Sequence, residues 1–289
     1  MNPWLLAARP KTLAAAVTPV LVGTALARVD SAPIHWLPFG FALFGAVFIQ
    51  IGTNYVNDAL DFKKGADTHA RLGPLRVTQA GLLGPEAVLR GAYLCFFLAA
   101  LCGIPLILRG GWPIAAIGIA SIAAAYAYTG GPYPLAYHGL GELFVMVFFG
   151  FVAVGGSFYL QRLTLDPTAW IGGFAVGSLA VVILAINNLR DIDNDRASNK
   201  QTLAARLGSR FAYGEIVVFA LAPFLCVLVI AYLRDARTLL LPLLPLILAI
   251  VLLVHVARSR GTELNRCLAL AGALEWIFGF LYVVGAALA

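Results

Sequence analysis

"FALFGAVFIQIGTNYVNDALDFKKGAD", residues 41–67, begins as an apolar run and ends in charge. Its last fourteen residues hold three aspartates, two asparagines and two lysines, in a chain that otherwise avoids charge. A second stretch, "NNLRDIDNDRASNK" at 187–200, ends another apolar run in the same way. Together they carry Asp58, Asp61, Asp67, Asp191, Asp193 and Asp195, six of the 14 acidic residues. A helix needs about 20 apolar residues to cross the hydrocarbon core of a bilayer. Both runs have that length, so both clusters fall where a span meets water.

The rest of the chain repeats the apolar theme. Nine apolar segments are legible, at roughly 12–28, 36–58, 87–108, 111–129, 140–160, 168–190, 212–232, 238–257 and 267–288. An isolated strand cannot cross lipid with its backbone unpaired, so these read as helices. Of the 289 residues 61% are hydrophobic and 12% charged, about half the charge of a soluble domain. The expectation is an all-α membrane protein of nine transmembrane helices, one polytopic domain over 1–289. A net charge of +6 would suit a nucleic-acid partner, but the basic residues cluster between apolar segments, which is a topology signal. A cytoplasmic N-terminus puts 15 of the 20 lysines and arginines on the cytoplasmic side. The C-terminus then lies on the opposite side. Arg9 and Lys11 before a run ending in "ALA" at 25–27 imitate a signal peptide. They stand behind an apolar start, "MNPWLLAA", so a retained first span is expected. Cys95, Cys102, Cys226 and Cys267 show no paired spacing and read as small buried hydrophobes. The four histidines form no metal-ligand pattern, and there is no phosphate-binding glycine loop.

On a helix, Asn54, Asn57, Asp58 and Asp61 stand at i, i+3, i+4 and i+7 and share one face. Asp191 and Asp195 stand at i, i+4, with Asn187 and Asn188 a turn earlier. Like charges this close repel and raise one another's pKa unless a cation joins them. Oxygen-only donors suit a hard ion, and Mg²⁺ binds through one or two carboxylates plus substrate phosphates. Lys64, Arg71, Arg76 and Lys200 are placed to take phosphate oxygens that a metal leaves open. A single acidic residue at a helix end is ordinarily just solvated. Two asparagine-led clusters on two long basic connections, 59–86 and 191–211, are harder to read so. A cation-coupled transporter would instead carry its acids near mid-membrane, and a scaffold subunit gives no reason for either cluster. The four-span separation of the clusters also suggests two related four-helix halves plus a ninth helix.

These motifs resemble those of the UbiA-type intramembrane prenyltransferases, whose paired NDxxD and DxxxD elements match "NDALD" and "DIDND". "RPKTL" at 9–13, "LGPLRVTQAG" at 72–81, "YTGGPYPLAYHGLGE" at 128–142 and "NNLRDIDNDRASNKQTLAARLG" at 187–208 are similar to the branch that prenylates 1,4-dihydroxy-2-naphthoate. The resemblance covers essentially the whole chain. It implies nine helices around a central cavity open at the cytoplasmic end and laterally to lipid. Asp58, Asp61, Asp191 and Asp195 would hold Mg²⁺ bridging a polyprenyl diphosphate. Asn54, Asn57 and Asn188 would support them or contact diphosphate, and Arg9, Lys64, Arg71, Arg76 and Lys200 would neutralise diphosphate. Hydroxybenzoate-type members carry a Tyr-Pro-x-x-Lys-Arg element where this chain has Tyr133, Pro134, Leu135, Ala136, Tyr137 and His138. That departure argues against 4-hydroxybenzoate and makes Tyr137, His138 and Glu142 acceptor-side candidates. The implied reaction joins the polyprenyl group to dihydroxynaphthoate with loss of CO₂ and diphosphate, in menaquinone biosynthesis. Other aromatic acceptors, among them homogentisate, haem and chlorophyllide types, stay open. The implied location is a bacterial cytoplasmic membrane, with membrane lipid around the protein, the site facing the cytoplasm and no nucleic-acid partner. Glu275, inside the ninth segment, reads as a structural carboxyl.

Overall fold

The computed structural model describes residues 2–29, 33–65 and 72–289. Among them there is no strand. Thirteen α-helices follow in order: α1 (Pro3–Ala8), α2 (Ala14–Arg28), α3 (Trp36–Lys63), α4 (Pro85–Gly110), α5 (Trp112–Ala127), α6 (Gly141–Val145), α7 (Ala153–Arg162), α8 (Pro167–Arg190), α9 (Ile192–Ala197), α10 (Leu203–Leu207), α11 (Ser209–Leu233), α12 (Leu246–Arg258) and α13 (Leu264–Leu288). A π-helix, Met146–Val152, joins α6 to α7.

Seven helices among the described residues are long and apolar enough to cross a membrane. An eighth crossing follows if α1 and α2, bent by 48°, are one span. The fourth apolar segment, 111–129, forms α5, which at 16 residues is shorter than a full crossing needs. The bend has a local cause. Pro10 cannot continue a helix, and Arg9 ahead of it takes the left-handed conformation, φ 51. Asn54 of α3 then fastens the break, donating to the Ala8 carbonyl at 2.9 Å and to the Thr12 hydroxyl at 3.1 Å.

Two apolar cores fill the protein. The larger packs α2, α7, α8, α11, α12 and α13 around Val154, Leu179, Ile186 and Phe278. The smaller packs α1, α3, α4 and α5 around Tyr55, Val56 and Phe96. α8 is the most buried of the long helices and starts from a strong cap. The Asp166 carboxylate accepts from the Thr168 and Ala169 amides, and Pro167 occupies the first helical position. The π-helix sits close on α8 because both are glycine there. A Cβ on Gly150 would come within 2.6 Å of the Gly173 carbonyl oxygen.

Between the two cores lies a cavity of about 500 Å³. It reaches from Asp61 along α3 to Ala42, a drop of about 28 Å at 1.5 Å per residue. Its wall is almost wholly apolar, including Phe148 and Phe149 of the π-helix. A small cluster of Leu106, Ile114 and Leu160 lies at the far end. Polar side chains gather at the opposite end, where α3, α8 and the turn at Arg9 meet.

Candidate active site

The polar end is assembled from four pieces: the last turns of α3, the loop at 72–84, the connection at 128–140, and the end of α8 with α9. On α3 the shared face is real, but its members do different things. Asp61 is buried and faces the cavity. It accepts from the Arg76 guanidinium at 2.9 Å and from the Tyr137 hydroxyl at 3.0 Å. Asp58, 1% exposed, is turned to the loop at 72–84. One carboxylate oxygen accepts from the Val77 amide at 3.1 Å; the other accepts from the Thr78 amide at 3.0 Å and its hydroxyl at 2.6 Å. Asp58 thus caps that loop from the helix, and it does not line the cavity. Asn57 lines the cavity and accepts a hydrogen bond from the Thr129 hydroxyl.

The second cluster is held from α8. Arg190, buried in its own helix end, donates to both oxygens of Asp191 at 2.8 and 2.6 Å. The same guanidinium reaches Asn187 at 2.6 Å and Asn265 of α13 at 2.7 Å. This fork fixes the entry into α9. Asp195 on α9 accepts from the Thr202 hydroxyl at 3.2 Å and has the Lys200 ammonium at 3.7 Å. Burial pushes its pKa up to about 6; Lys200 pulls the other way, and the charges of Asp191 and Asp61 add to the rise. The proton affinity of Asp195 therefore couples it to both clusters. Asn188 donates to Glu142 of α6 at 2.8 Å across the cavity mouth.

The connection at 128–140 links the clusters. Tyr137 was an acceptor-side candidate by sequence; here its hydroxyl bonds Asp61 and its ring receives two lysines. The Lys64 ammonium stands 4.8 Å and that of Lys200 5.7 Å from the ring centroid. Such placements are attractive because the ring face is electron-rich. Lys64 also donates to the Thr129 carbonyl. His138, the second acceptor-side candidate, does not line the cavity. It stacks on Tyr133 at 3.6 Å and its Nδ1 lies 2.8 Å from the Pro134 carbonyl, so its ring belongs to the loop's own packing. Glu142, the third, is buried and does line the cavity. Arg9, Arg76 and Lys200 line it too. Arg71 and Asp67 lie outside the described residues. Sequence reading missed Thr78, Thr129, Tyr128, Arg190 as an anchor, and Thr202. All five lie inside the motif stretches quoted above, but nothing in their local spacing gives their partners.

The candidate metal-ligating groups are all oxygens: Asp61, Asn57 and Asn188 line the cavity, whereas Asp191 and Asp195, like Asp58, do not. Among the described residues no three acidic, histidine or cysteine side chains form a ready-made metal cage. Oxygen-only donors are of the kind a hard cation such as Mg²⁺ takes. The arrangement defines a class: a helical membrane protein with an acid-and-base mouth over a deep apolar cavity, suited to an amphiphile with a multiply charged anionic head.

The family comparison agrees. The UbiA prenyltransferase family model matches residues 16–286, and the chain belongs to that family. It is 42% identical over 223 residues, 75% of each chain, to a Mycobacterium tuberculosis protein named 1,4-dihydroxy-2-naphthoate octaprenyltransferase. The fold is shared with an apo UbiA homolog from Aeropyrum pernix K1, with a TM-score of 0.75 at 16% identity over 96% of this chain and 98% of that one. It is also shared with a UbiA homolog from Archaeoglobus fulgidus solved with DMAPP and Mg²⁺, with a TM-score of 0.67 at 11% identity over 98% and 99%.

Proposed function

We propose that this protein transfers a polyprenyl group from polyprenyl diphosphate to 1,4-dihydroxy-2-naphthoate, releasing CO₂ and diphosphate, in menaquinone biosynthesis. The observation that carries the reading is the mouth itself. Asp61 and Glu142 with the cations Arg9, Arg76 and Lys200 line the polar end of a cavity whose remaining wall is mostly apolar, and Asp195 stands beside Lys200 without lining it. The Mycobacterium tuberculosis relative's name supplies the acceptor and the octaprenyl donor class. Asp61, Asp191 and Asp195 are the proposed Mg²⁺ ligands, and Asn57 and Asn188 support the site without ligating the ion. Asp58 acts one step back, by holding the loop that presents Arg76. Mg²⁺ supplies charge neutralisation on the leaving diphosphate.

The chain's own groups account for the rest. Arg76, Lys64, Lys200 and Arg9 share the charge that builds on the diphosphate oxygens, preorganised in a site that excludes bulk water. The donor tail lies in the apolar cavity; moving it to water would cost about 0.8 kcal/mol for each CH₂. Phe148 and Phe149 line the cavity, and aromatic rings there would stabilise an allylic cation. Where hydroxybenzoate-type members have a Lys-Arg pair, this loop gives Tyr137, and the two cations arrive from Lys64 and Lys200 instead. The mouth then has cations enough for diphosphate without a further pair for a benzoate. We further propose that α1–α2, α5 and the seven long helices make nine crossings, with the N-terminus on the active-site side. The test pairs aromatic acceptors with geranyl to octaprenyl diphosphates in membranes holding this protein. Dihydroxynaphthoate is expected as the best acceptor, and its failure across all donors would reject the reading.

A further inference from the structure

Glu142 differs from every other acid at the mouth. Asp61 has a guanidinium, Asp191 has another, Asp58 has three donors from one loop, and Asp195 has a hydroxyl and a nearby ammonium. Glu142 has one neutral donor. The Asn188 amide holds Oε1 at 2.8 Å, and Oε2 is buried with no partner. A buried polar atom left unmatched is costly, and each one in a native structure asks for an explanation. Here the residue lines the cavity, so the partner is sought in the ligand. Glu142 sits in the first turn of the helical span Gly141–Arg162, where the exposed amides favour a negative charge. Asn188 sets the carboxylate's orientation from α8, so Oε2 is not free to swing to another side chain. A carboxyl group fixed this way, with Oε2 unpartnered and no salt bridge to it among the described residues, suits an uncharged O–H donor. The acceptor offers one in its ring hydroxyls. Its carboxylate would be repelled from Glu142, which orients the ring.

We propose that Glu142 is the catalytic base for the acceptor: its Oε2 receives a ring-hydroxyl hydrogen bond and takes that proton as the ring attacks. This inference rests on the proposed function and deepens it. The proton moves from the ring oxygen to Oε2. The ring's electrons form the new carbon–carbon bond at the carboxylate-bearing carbon, and the donor's C–O electron pair leaves with diphosphate. The pair of the C–CO₂ bond then restores the aromatic ring as CO₂ departs, and Glu142 returns the proton to the ring oxygen. Asn188 is the positioning residue that holds the base.

The experiment uses the full chain in vesicles, as wild type and as Glu142→Gln, with both substrates varied. Glu142→Gln keeps the shape and a polar contact with Asn188 but cannot take a proton. The kcat/KM for dihydroxynaphthoate should fall about 100-fold, the usual lower range for losing a positioned base. The half-saturating concentrations of prenyl diphosphate and Mg²⁺ should not move. The variant's rate should recover as pH rises toward ionisation of the acceptor's own hydroxyl, whereas a merely structural lesion would not recover. Wild type should also fail to prenylate the acceptor's methyl ether at the hydroxyl concerned, a readout that needs no variant to fold. Unaltered acceptor kinetics in Glu142→Gln, equal losses for both substrates, or wild-type rates with both monomethyl ethers would each overturn the assignment. Wild type inactive on dihydroxynaphthoate itself would reject the proposed function instead.

Discussion

Asp58 and Asp61 stand three residues apart on one helix face, and substituting each by asparagine should give different defects. Asp58 spends its carboxylate on the Val77 amide, the Thr78 amide and the Thr78 hydroxyl, at 3.1, 3.0 and 2.6 Å. In Asp58→Asn one oxygen becomes an NH₂ group facing a donor. A charge-assisted bond of about 1.5–3 kcal/mol is lost, and a buried amide left without an acceptor costs about 1–3 kcal/mol more. The loop at 72–84 should therefore loosen by about 2.5–6 kcal/mol in total. Thr78→Ala should reproduce about 1 kcal/mol of this, and the double variant should be less than additive because the two share a bond. Asp61→Asn instead strips the partner from a guanidinium whose side chain is 5% exposed and removes a proposed Mg²⁺ ligand. Its kcat should drop about 10²–10³-fold, and half-activation should need more Mg²⁺. The assays are thermal inactivation and limited proteolysis in the 72–84 loop, followed by Mg²⁺ titration of single-turnover product formation. Asp58→Asn should be the less stable and the more readily cleaved, with an unmoved Mg²⁺ requirement. Wild-type stability together with a raised Mg²⁺ requirement in Asp58→Asn would refute the loop-anchor reasoning and return Asp58 to the metal.

Chelation should abolish turnover and added Mg²⁺ restore it; full activity of dialysed membranes in excess chelator would remove the metal from the account. Tyr137→Phe keeps the ring beneath Lys64 and Lys200 and loses the Asp61 bond, about 1 kcal/mol or severalfold in rate. Tyr137→Leu loses both and should raise the KM for prenyl diphosphate as well, so equal defects in the two variants would argue against the ring's part in placing the lysines. In competition, dihydroxynaphthoate should be consumed well before 4-hydroxybenzoate, as read by mass spectrometry of the products; the reverse order would mean the branch was misread.

The helices were legible because lipid makes every span apolar along about 20 residues, whatever else it does. Both acid clusters were legible for the converse reason, since charge at a span end stands out against that background. The finer parts were not. The short α1 before Pro10 carries too few residues to announce a helix, so the first span reads as starting at 12 although a bent partner precedes it. The π-helix at Met146–Val152 is as apolar as its neighbours, and its cause lies in glycines of α8 that are distant in sequence. The division of labour between Asp58 and Asp61 depends on a loop some 20 residues further on. The Asn188–Glu142 bond joins residues 46 apart. Helical spacing can say which side chains share a face, but not what will be placed against it.

The remaining question is how so many charges tolerate burial before substrate arrives. Removing either partner from a buried ion pair costs about 3–5 kcal/mol, because the survivor is left uncompensated. Here the proposed metal ligands and the proposed phosphate cations compensate each other directly: Arg76 with Asp61, Lys200 with Asp195, and, as a structural member, Arg190 with Asp191. Binding of a diphosphate with Mg²⁺ offers each side a new partner of the right sign. On the proposed reading Asp61 and Asp195 would turn to the metal and Arg76 and Lys200 to phosphate, so neither would be stranded, while Asp191 would meet the metal from its place on Arg190. The looser pair, Lys200 to Asp195 at 3.7 Å, should exchange first. Arg190 should not exchange at all, since Asn187 and Asn265 also hold it. Lys200→Gln should then weaken prenyl diphosphate binding with little loss of stability, whereas Arg190→Gln should destabilise the junction of α8, α9 and α13. Comparing substrate KM with thermal inactivation in the two variants separates these outcomes. A Lys200→Gln protein that unfolds early but binds its donor normally would show that the pair is structural and that no exchange of partners occurs.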